Sequence, residues 1–381
     1  MIPYSRHSIN NNDLKEVSKA LKSNFLTIGP YLKKFEERIK LITKAKYSIA
    51  CSSGTAAIHL VLLSTNIKKD DVIIMPAVTF VASFNTSRML GAKIYLADVD
   101  PATGQMTPET LKKCIKENNL KKIKVIFTMY LGGSPENVDK FFKIKKKYNS
   151  ILIEDACHAF GAKYKLKNKL FNVGCCKHSD YAVFSFHAVK SITTGEGGGI
   201  VTNNLDQFKK IQLLRSHGII RKKFHWDYEI ALSGLNYRIP DINCALGYSQ
   251  SLRIKSFIKK RKKIYSIYKK KLKEYNDIIN FPVYENISGS AFHLIVININ
   301  FKKLKKNKND LLGYFIKNKI ISQFHYIPIY KFKVSNNFYK KKFPGAEIYF
   351  KNSLSLPVFT DLSMKKLNYI ILKIKQFIDS N

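Results

Sequence analysis

From about residue 31 to residue 202, short apolar runs rich in β-branched residues alternate with stretches of helical periodicity, and this alternation constrains the fold more than any other feature. A strand, a helix and a second strand close as a right-handed βαβ unit, and repeated units build a largely parallel sheet with helices on both faces. Strands are expected at 47–51, 72–75, 123–129, 151–154, 181–186 and 199–202, with helices at 55–64, 79–90, 107–117 and 138–148. The expected class is therefore α/β, a three-layer large domain. Ligands of such sheets sit beyond the carboxyl ends of the strands, where Asp155 and Lys190 fall.

Past residue 202 the pattern changes. A long amphipathic helix is expected near 241–275, followed by strands at 292–298 and 322–326 and helices at 311–319 and 364–379. This reads as a smaller α+β unit. A chain of 381 residues exceeds what one compact core usually fills, so we expect a large domain over 1–250 and a small one over 251–381.

Sixty-six basic against 27 acidic side chains give a formal net charge of +39, a balance that raises nucleic-acid or membrane binding. Lysine carries nearly all of it, arginine is scarce, and Asn and Ile are also abundant, which is the signature of A- and T-rich codons. The densest run, 253–275, places Ile254, Phe257, Ile258, Ile264, Tyr268, Leu272 and Tyr275 near helical spacing, with lysines on the remaining faces. It reads as an amphipathic helix with a solvated side. A basic nucleic-acid-binding or regulatory protein is thus the alternative from a different class, and neither a nucleic acid nor a membrane is an expected partner. A positive field would still speed the arrival of an anionic substrate.

The six cysteines, at 51, 114, 157, 175, 176 and 244, make no CxxC pair and no small disulfide framework, so they read as reduced thiols of a cytoplasmic protein. No apolar run approaches the ~18 residues a membrane helix needs, and the first residues lack the charged-then-apolar order of a signal peptide.

The chemistry concentrates at 181–199, YAVFSFHAVKSITTGEGGG, where an apolar strand is followed by a lone lysine and a glycine-rich turn. Four features there and upstream answer the separate demands of pyridoxal 5'-phosphate (PLP). Lys190 supplies an amine for the aldehyde and afterwards a proton shuttle. Asp155, closing the run ILIED, supplies a carboxylate to keep the pyridine nitrogen protonated. The run Ser52-Ser53-Gly54-Thr55 precedes the helical AAIHLVLL and offers free N–H groups to a phosphate, with Thr55 and Ser185 adding hydroxyls. Phe80, after VIIMPAVT, offers a stacking ring. Each has an ordinary reading when taken alone: a surface lysine, a helix N-cap, a capping sequence, a core aromatic. The run 195–199 is neither a Walker loop nor a dinucleotide fingerprint, since Ile200 stands where the last glycine should fall. No HExxH or comparable cluster exists, His59 and His293 read as packed or surface residues, and no metal is expected.

The segments EDACHAFGA (154–162), SFHAVKSITTGEGGGIVT (185–202), LRSHGI (214–219) and GLNYRIPDINCALGYSQSL (234–252) resemble the successive signatures of the DegT/DnrJ-type sugar aminotransferases. SNFLTIGPYLKKFEE near the start and FHYIPIY at 324–330 extend the likeness along nearly the whole chain. The resemblance implies a fold-type I PLP enzyme, with Lys190 as the Schiff-base lysine, Asp155 as the pyridinium partner and His158 beside the cofactor's ring hydroxyl. It implies phosphate contacts from Gly54, Thr55 and Ser185, and from Asn236 donated across the interface of a homodimer with shared active sites. Arg238 lies beside Asn236, and Tyr4, Thr27, His325 and Tyr326 match segments lining a sugar-nucleotide pocket. Within the family the likeness is to the pseudaminic acid branch, implying a UDP-linked 4-keto-6-deoxy-N-acetyl-hexosamine aminated at C4 with L-glutamate as donor; a C3 aminotransferase or one for a dTDP- or GDP-sugar is the nearest rival. Relatives that dehydrate replace the Schiff-base lysine by histidine, whereas this chain keeps it. Gly54 and Gly195 stand where relatives can have alanine, and Ser191 where proline is common.

Overall fold

A computed structural model of the chain describes residues 1–380 apart from 225 and 339–341. Two helices come first. α1 (Asn11–Leu21) opens on a capping box in which the side chains of Asn10 and Asp13 each accept the other's backbone N–H, and α2 (Pro30–Thr43) carries proline in its first turn, where a missing N–H leaves no helix bond unmade. The βα alternation follows as β1 (Tyr47–Cys51), α3 (Gly54–Ser64), β2 (Val72–Pro76), α4 (Val81–Met89), β3 (Lys93–Ala97), α5 (Pro108–Glu117), β4 (Val125–Met129), α6 (Val138–Tyr148) and β5 (Ile151–Asp155). A hairpin of β6 (Lys163–Leu166) and β7 (Lys169–Asn172) then leads into β8 (Tyr181–Ser185), β9 (Gly198–Thr202) and α7 (Leu205–Arg215).

Seven of these strands form one sheet in the order β1-β9-β8-β5-β4-β2-β3. Neighbours from β3 to β8 run parallel, while β9 is antiparallel to both β8 and β1. The sheet is buried on both faces, which is why its strands read as unbroken apolar runs. Because successive side chains alternate sides, Ile73, Val125 and Phe127 join one apolar cluster with α3, while Ile74 and Ile126 join another with α5 and α6. A third cluster packs Phe35 and Ile39 of α2 under Phe184 and Val201. The result is the expected three layers. The strand β3 was not foreseen; it is an edge strand with Lys93 exposed and Tyr95 half-buried, too mixed for an apolar run.

A small hairpin of β10 (Ile219–Arg221) and β11 (Tyr228–Ile230) precedes the expected long helix, which is in fact two: α8 (Asp241–Leu252) and α9 (Ile254–Lys271). Arg253 at the break leaves helical geometry and turns its guanidinium onto the buried Asp13, which also accepts from Ser249 Oγ at 2.6 Å and Gln250 Nε2 at 2.7 Å. Local sequence gives no warning of that break, because the contact that sets it reaches back to α1.

The remaining chain supplies β12 (Ile279–Asn280), β13 (Ile295–Ile299), α10 (Lys308–Lys317), α11 (Pro344–Asn352), β14 (Ser353–Leu356) and α12 (Met364–Asp379). The three strands form an antiparallel sheet whose core gathers Tyr268, Ile297, Phe315, Leu367 and Ile371 together with Ile2 from the other end of the chain. The strand expected at 322–326 does not form: only Gln323 bridges to Ser355, and the peptide joining His325 to Tyr326 is cis. All six cysteines are free thiols. Among the described residues no helix is long and apolar enough to cross a membrane.

Candidate active site

A cavity of about 630 Å³ opens beyond the carboxyl ends of β5 and β8. Asp155 is the last residue of β5, 4% exposed, and its Oδ1 accepts the Cys157 N–H at 3.1 Å. Lys190 follows β8 in a tight excursion: its own N–H donates to the His187 carbonyl at 2.9 Å, and the loop returns where the Phe186 N–H meets the Gly197 carbonyl at 2.8 Å. Burial pushes the Lys190 ammonium below its ordinary range, with Cys157 and Asp155 pulling it back. Burial likewise raises the Asp155 carboxyl, opposed by its bonds with Cys157 and by the Lys190 charge. Desolvation therefore favours a free amine at Lys190, the form that acts as a nucleophile.

The SSGT loop forms the anion-holding side. Ser53 caps α3 by accepting the Ala56 N–H at 3.0 Å, and the amides of Gly54 and Thr55 at the positive end of the helix have no backbone acceptor among the described residues. Two glycines let this loop sit deep. A Cβ on Gly54 would stand 2.9 Å from Ser185 Cβ, and one on Gly198 would stand 2.1 Å from the Ser53 carbonyl oxygen. A helix N-terminus with two hydroxyls, a desolvated amine, a carboxylate and the ring of Phe80 thus face one space, which fits the four demands of PLP.

On the opposite wall His158 is buried and held well below the usual imidazole range by burial, Lys190 and His325. Its Nδ1 accepts the Gly132 N–H at 3.3 Å, which assigns the proton to Nε2, 2.9 Å from the Tyr326 hydroxyl. Tyr326 therefore accepts from His158 and keeps its own proton to offer. Its phenol is pushed far above the usual range by burial. His325, pushed down to about 3 by burial and Lys190, bonds through Nδ1 to Ser355 Oγ at 2.9 Å. Phe80 is half exposed, with its ring 5.6 Å from that of Tyr326.

The cavity brings together Tyr4, Gly54, Thr55, Phe80, Asp155, His158, Ser185, Lys190, His325 and Tyr326. Thr27, Asn236 and Arg238 do not line it. Thr27 bridges Pro240 and Asn236 bridges Ser216, so the three share a strip beside the SSGT loop, where the Ser52 N–H donates to the Tyr237 carbonyl at 2.9 Å. Thr27 and Asn236 are exposed there and Arg238 is half-buried. Ser53 lines the cavity as part of the SSGT run, and Thr79, Cys157, His187, Glu196, His293 and Gln323 line it without having been given a role there from the sequence. His187 and Glu196 were within reach of sequence reasoning, since they bracket Lys190 in one short loop. His293 reads as core because it is core, 2% exposed, with its ring 4.4 Å from that of His158.

The sequence model of the DegT/DnrJ/EryC1/StrS aminotransferase family matches residues 7–375. The UDP-4-amino-4,6-dideoxy-N-acetyl-beta-L-altrosamine transaminase of Campylobacter jejuni subsp. jejuni serotype O:23/36 is 34% identical over 375 residues, covering 97% of this chain and 96% of the relative. Among solved structures, Helicobacter pylori PseC, an aminotransferase of pseudaminic acid biosynthesis, superposes with a TM-score of 0.92 at 28% identity, with all of both chains covered. A proposed sugar aminotransferase of Streptococcus pneumoniae, Spr1654, solved in PLP and PMP forms, superposes in its PMP form with a TM-score of 0.90 at 27% identity, covering 100% of this chain and 99% of that one.

Proposed function

Because the chain belongs to the DegT/DnrJ/EryC1/StrS aminotransferase family of PLP-dependent enzymes, we propose that it transfers the amino group of L-glutamate to C4 of a UDP-linked 4-keto-6-deoxy-N-acetyl-hexosamine, a pseudaminic acid-type reaction. The observation that carries this reading is the facing pair of Lys190 and Asp155 in one buried cavity, with the free amides of α3 at its edge. Likeness to the C. jejuni and H. pylori enzymes supports the sugar.

When bound, PLP supplies an electron sink that makes a donor's α-proton removable. The chain's own residues do the rest. Lys190, whose charged form burial disfavours, would hold the aldehyde and would carry the proton at the donor's α-carbon. Asp155 would hold a proton on the pyridine nitrogen, a positive partner that would oppose the burial raising its carboxyl. Gly54, Thr55 and Ser185 would hold the phosphate and Phe80 would cover the ring, while Tyr326 presents a hydroxyl proton oriented by His158. Tyr4 and His325 bound the sugar side.

In this reading the enzyme is a homodimer that shares its sites, and it is built of the units 1–250 and 251–381. Asn236, Thr27 and Arg238 then serve the partner's cavity. Supporting this, their strip is ringed by exposed apolar side chains, among them Phe25, Leu26, Ile28, Tyr228, Ile230 and Leu235. The test is to incubate the PLP-loaded enzyme with L-glutamate and a panel of UDP-, dTDP- and GDP-linked keto-sugars, and to read product mass and NMR. Amination at C3, or of a dTDP- or GDP-sugar alone, overturns the substrate assignment. Absence of amination with every member overturns the reaction.

A further inference from the structure

PLP carries its ring nitrogen and its aldehyde carbon at opposite ends of one axis, with the ring hydroxyl and the phosphate arm on opposite flanks of that axis. Asp155 and Lys190 set the axis and the amide end of α3 takes the phosphate flank, so the ring oxygen falls to the wall of His158 and Tyr326. Which of those two donates to it follows from the bonds they already make.

His158 has no proton to spare. Its Nδ1 accepts the Gly132 N–H at 3.3 Å, so its one proton is on Nε2, directed at the Tyr326 hydroxyl 2.9 Å away. The His293 ring packs against it with centroids 4.4 Å apart. Tyr326 stands the other way round. Its oxygen accepts from His158, while its own proton has no acceptor among the described residues, although the side chain lines the cavity 5.6 Å, ring to ring, from Phe80. A hydroxyl that already accepts one hydrogen bond is the stronger donor of the next. All of these groups belong to one chain, so the pairing holds whatever residues a partner adds to the cavity.

We propose that Tyr326, rather than His158, donates the hydrogen bond to the cofactor's ring oxygen, and that His158 is the residue that positions it. The inference rests on the PLP assignment above and deepens it. A donor on this oxygen draws off negative charge that would otherwise hold a proton on the nitrogen joining Lys190 to the cofactor. Tyr326 therefore lowers the pH at which that nitrogen loses its proton.

The test is a pH titration of the visible absorbance band of the PLP-loaded full chain, which reports that proton. Tyr326→Phe removes one hydroxyl and raises the midpoint by about one pH unit or more, the change in proton affinity that a lost charge-assisted bond produces. His158→Ala leaves the phenol in place without its orienting partner, so its midpoint rises by less, and the double variant titrates with Tyr326→Phe. The other titratable groups facing Lys190 are Tyr4, Asp155, Cys157, His293 and His325, with His187 and Glu196 at the mouth; they are common to every variant, so the differences isolate the pair. A second measurement does not depend on where the midpoint lies: the apoenzyme is titrated with PLP and with its analogue lacking the ring hydroxyl, and the preference for PLP falls ~10-fold or more on going to Tyr326→Phe. An unchanged midpoint or an unchanged preference in Tyr326→Phe, a larger rise in His158→Ala, or a double variant well above Tyr326→Phe overturns the proposal. Failure of the PLP assignment looks different, since the wild-type chain would then show no visible band with PLP at any pH.

Discussion

Replacing Gly198 by alanine tests how the anion cradle is held. Gly198 is paired on one side with Ser185 of β8 and on the other with Cys51 of β1, so its backbone is fixed by two ladders. A Cβ there stands 2.1 Å from the Ser53 oxygen, whereas ordinary contact begins near 3.4 Å, so the two must part by about 1.3 Å. The sheet yields less readily than the loop, and the displacement falls on Ser53, the residue that caps α3. Overpacking of this size costs ~1–3 kcal/mol of stability. Moving the loop also spoils the aim of the Gly54 and Thr55 amides; losing one charge-assisted bond to phosphate weakens PLP binding ~10-fold or more. Titrating the apoenzyme with PLP at its visible absorbance band, alongside thermal unfolding of the same sample, measures both. A Gly198→Ala protein with wild-type melting and wild-type PLP affinity refutes the reasoning.

Lys190→Ala abolishes turnover and the visible absorbance of the loaded enzyme, whereas Asp155→Ala keeps some cofactor but loses ~10²-fold or more in rate, the scale of a removed proton-holding or electrostatic group; steady-state kinetics with absorbance spectra read both. Glu154, buried behind the sheet with its Oε2 accepting the Gly174 N–H, has its carboxyl raised by burial to about 7. The folded chain then holds a proton that the unfolded chain has already released, so this group's stabilising contribution is present below pH ~4.5 and is lost as pH rises to ~7. Glu154→Gln therefore melts at a progressively higher temperature relative to wild type between pH 5 and 8; a constant difference across that range contradicts the assignment. Asp13→Ala strands the Arg253 guanidinium and the Ser249 and Gln250 groups that converge on it, and destabilises the chain by ~3–5 kcal/mol in urea unfolding.

The three-layer sheet was legible because burial on both faces writes itself into sequence as continuous apolar runs, and Lys190 and Asp155 were legible because each sits at the end of such a run. What escaped depended on distant partners. Arg253 sits in an unbroken amphipathic pattern, yet it stands between two helices with its guanidinium on Asp13 across the fold. The stretch 322–326 alternates like a strand, yet only Gln323 finds a neighbour. Thr27 and Arg238 carry family signatures, yet neither lines the cavity of its own chain. His293 is hidden for another reason: one residue can be both core and cavity wall, and burial dominates its sequence surroundings.

The cavity draws its walls from Tyr4, from the strand ends near 155 and 190, and from His325 and Tyr326, with the Tyr4 carbonyl tied to the Val358 N–H at 2.9 Å. During translation the sheet can therefore assemble, with the residues assigned to vitamin B6, before the wall at His325 and Tyr326 has been made. Closure of the cavity awaits the folding of a late-made segment back over the first residues of the chain.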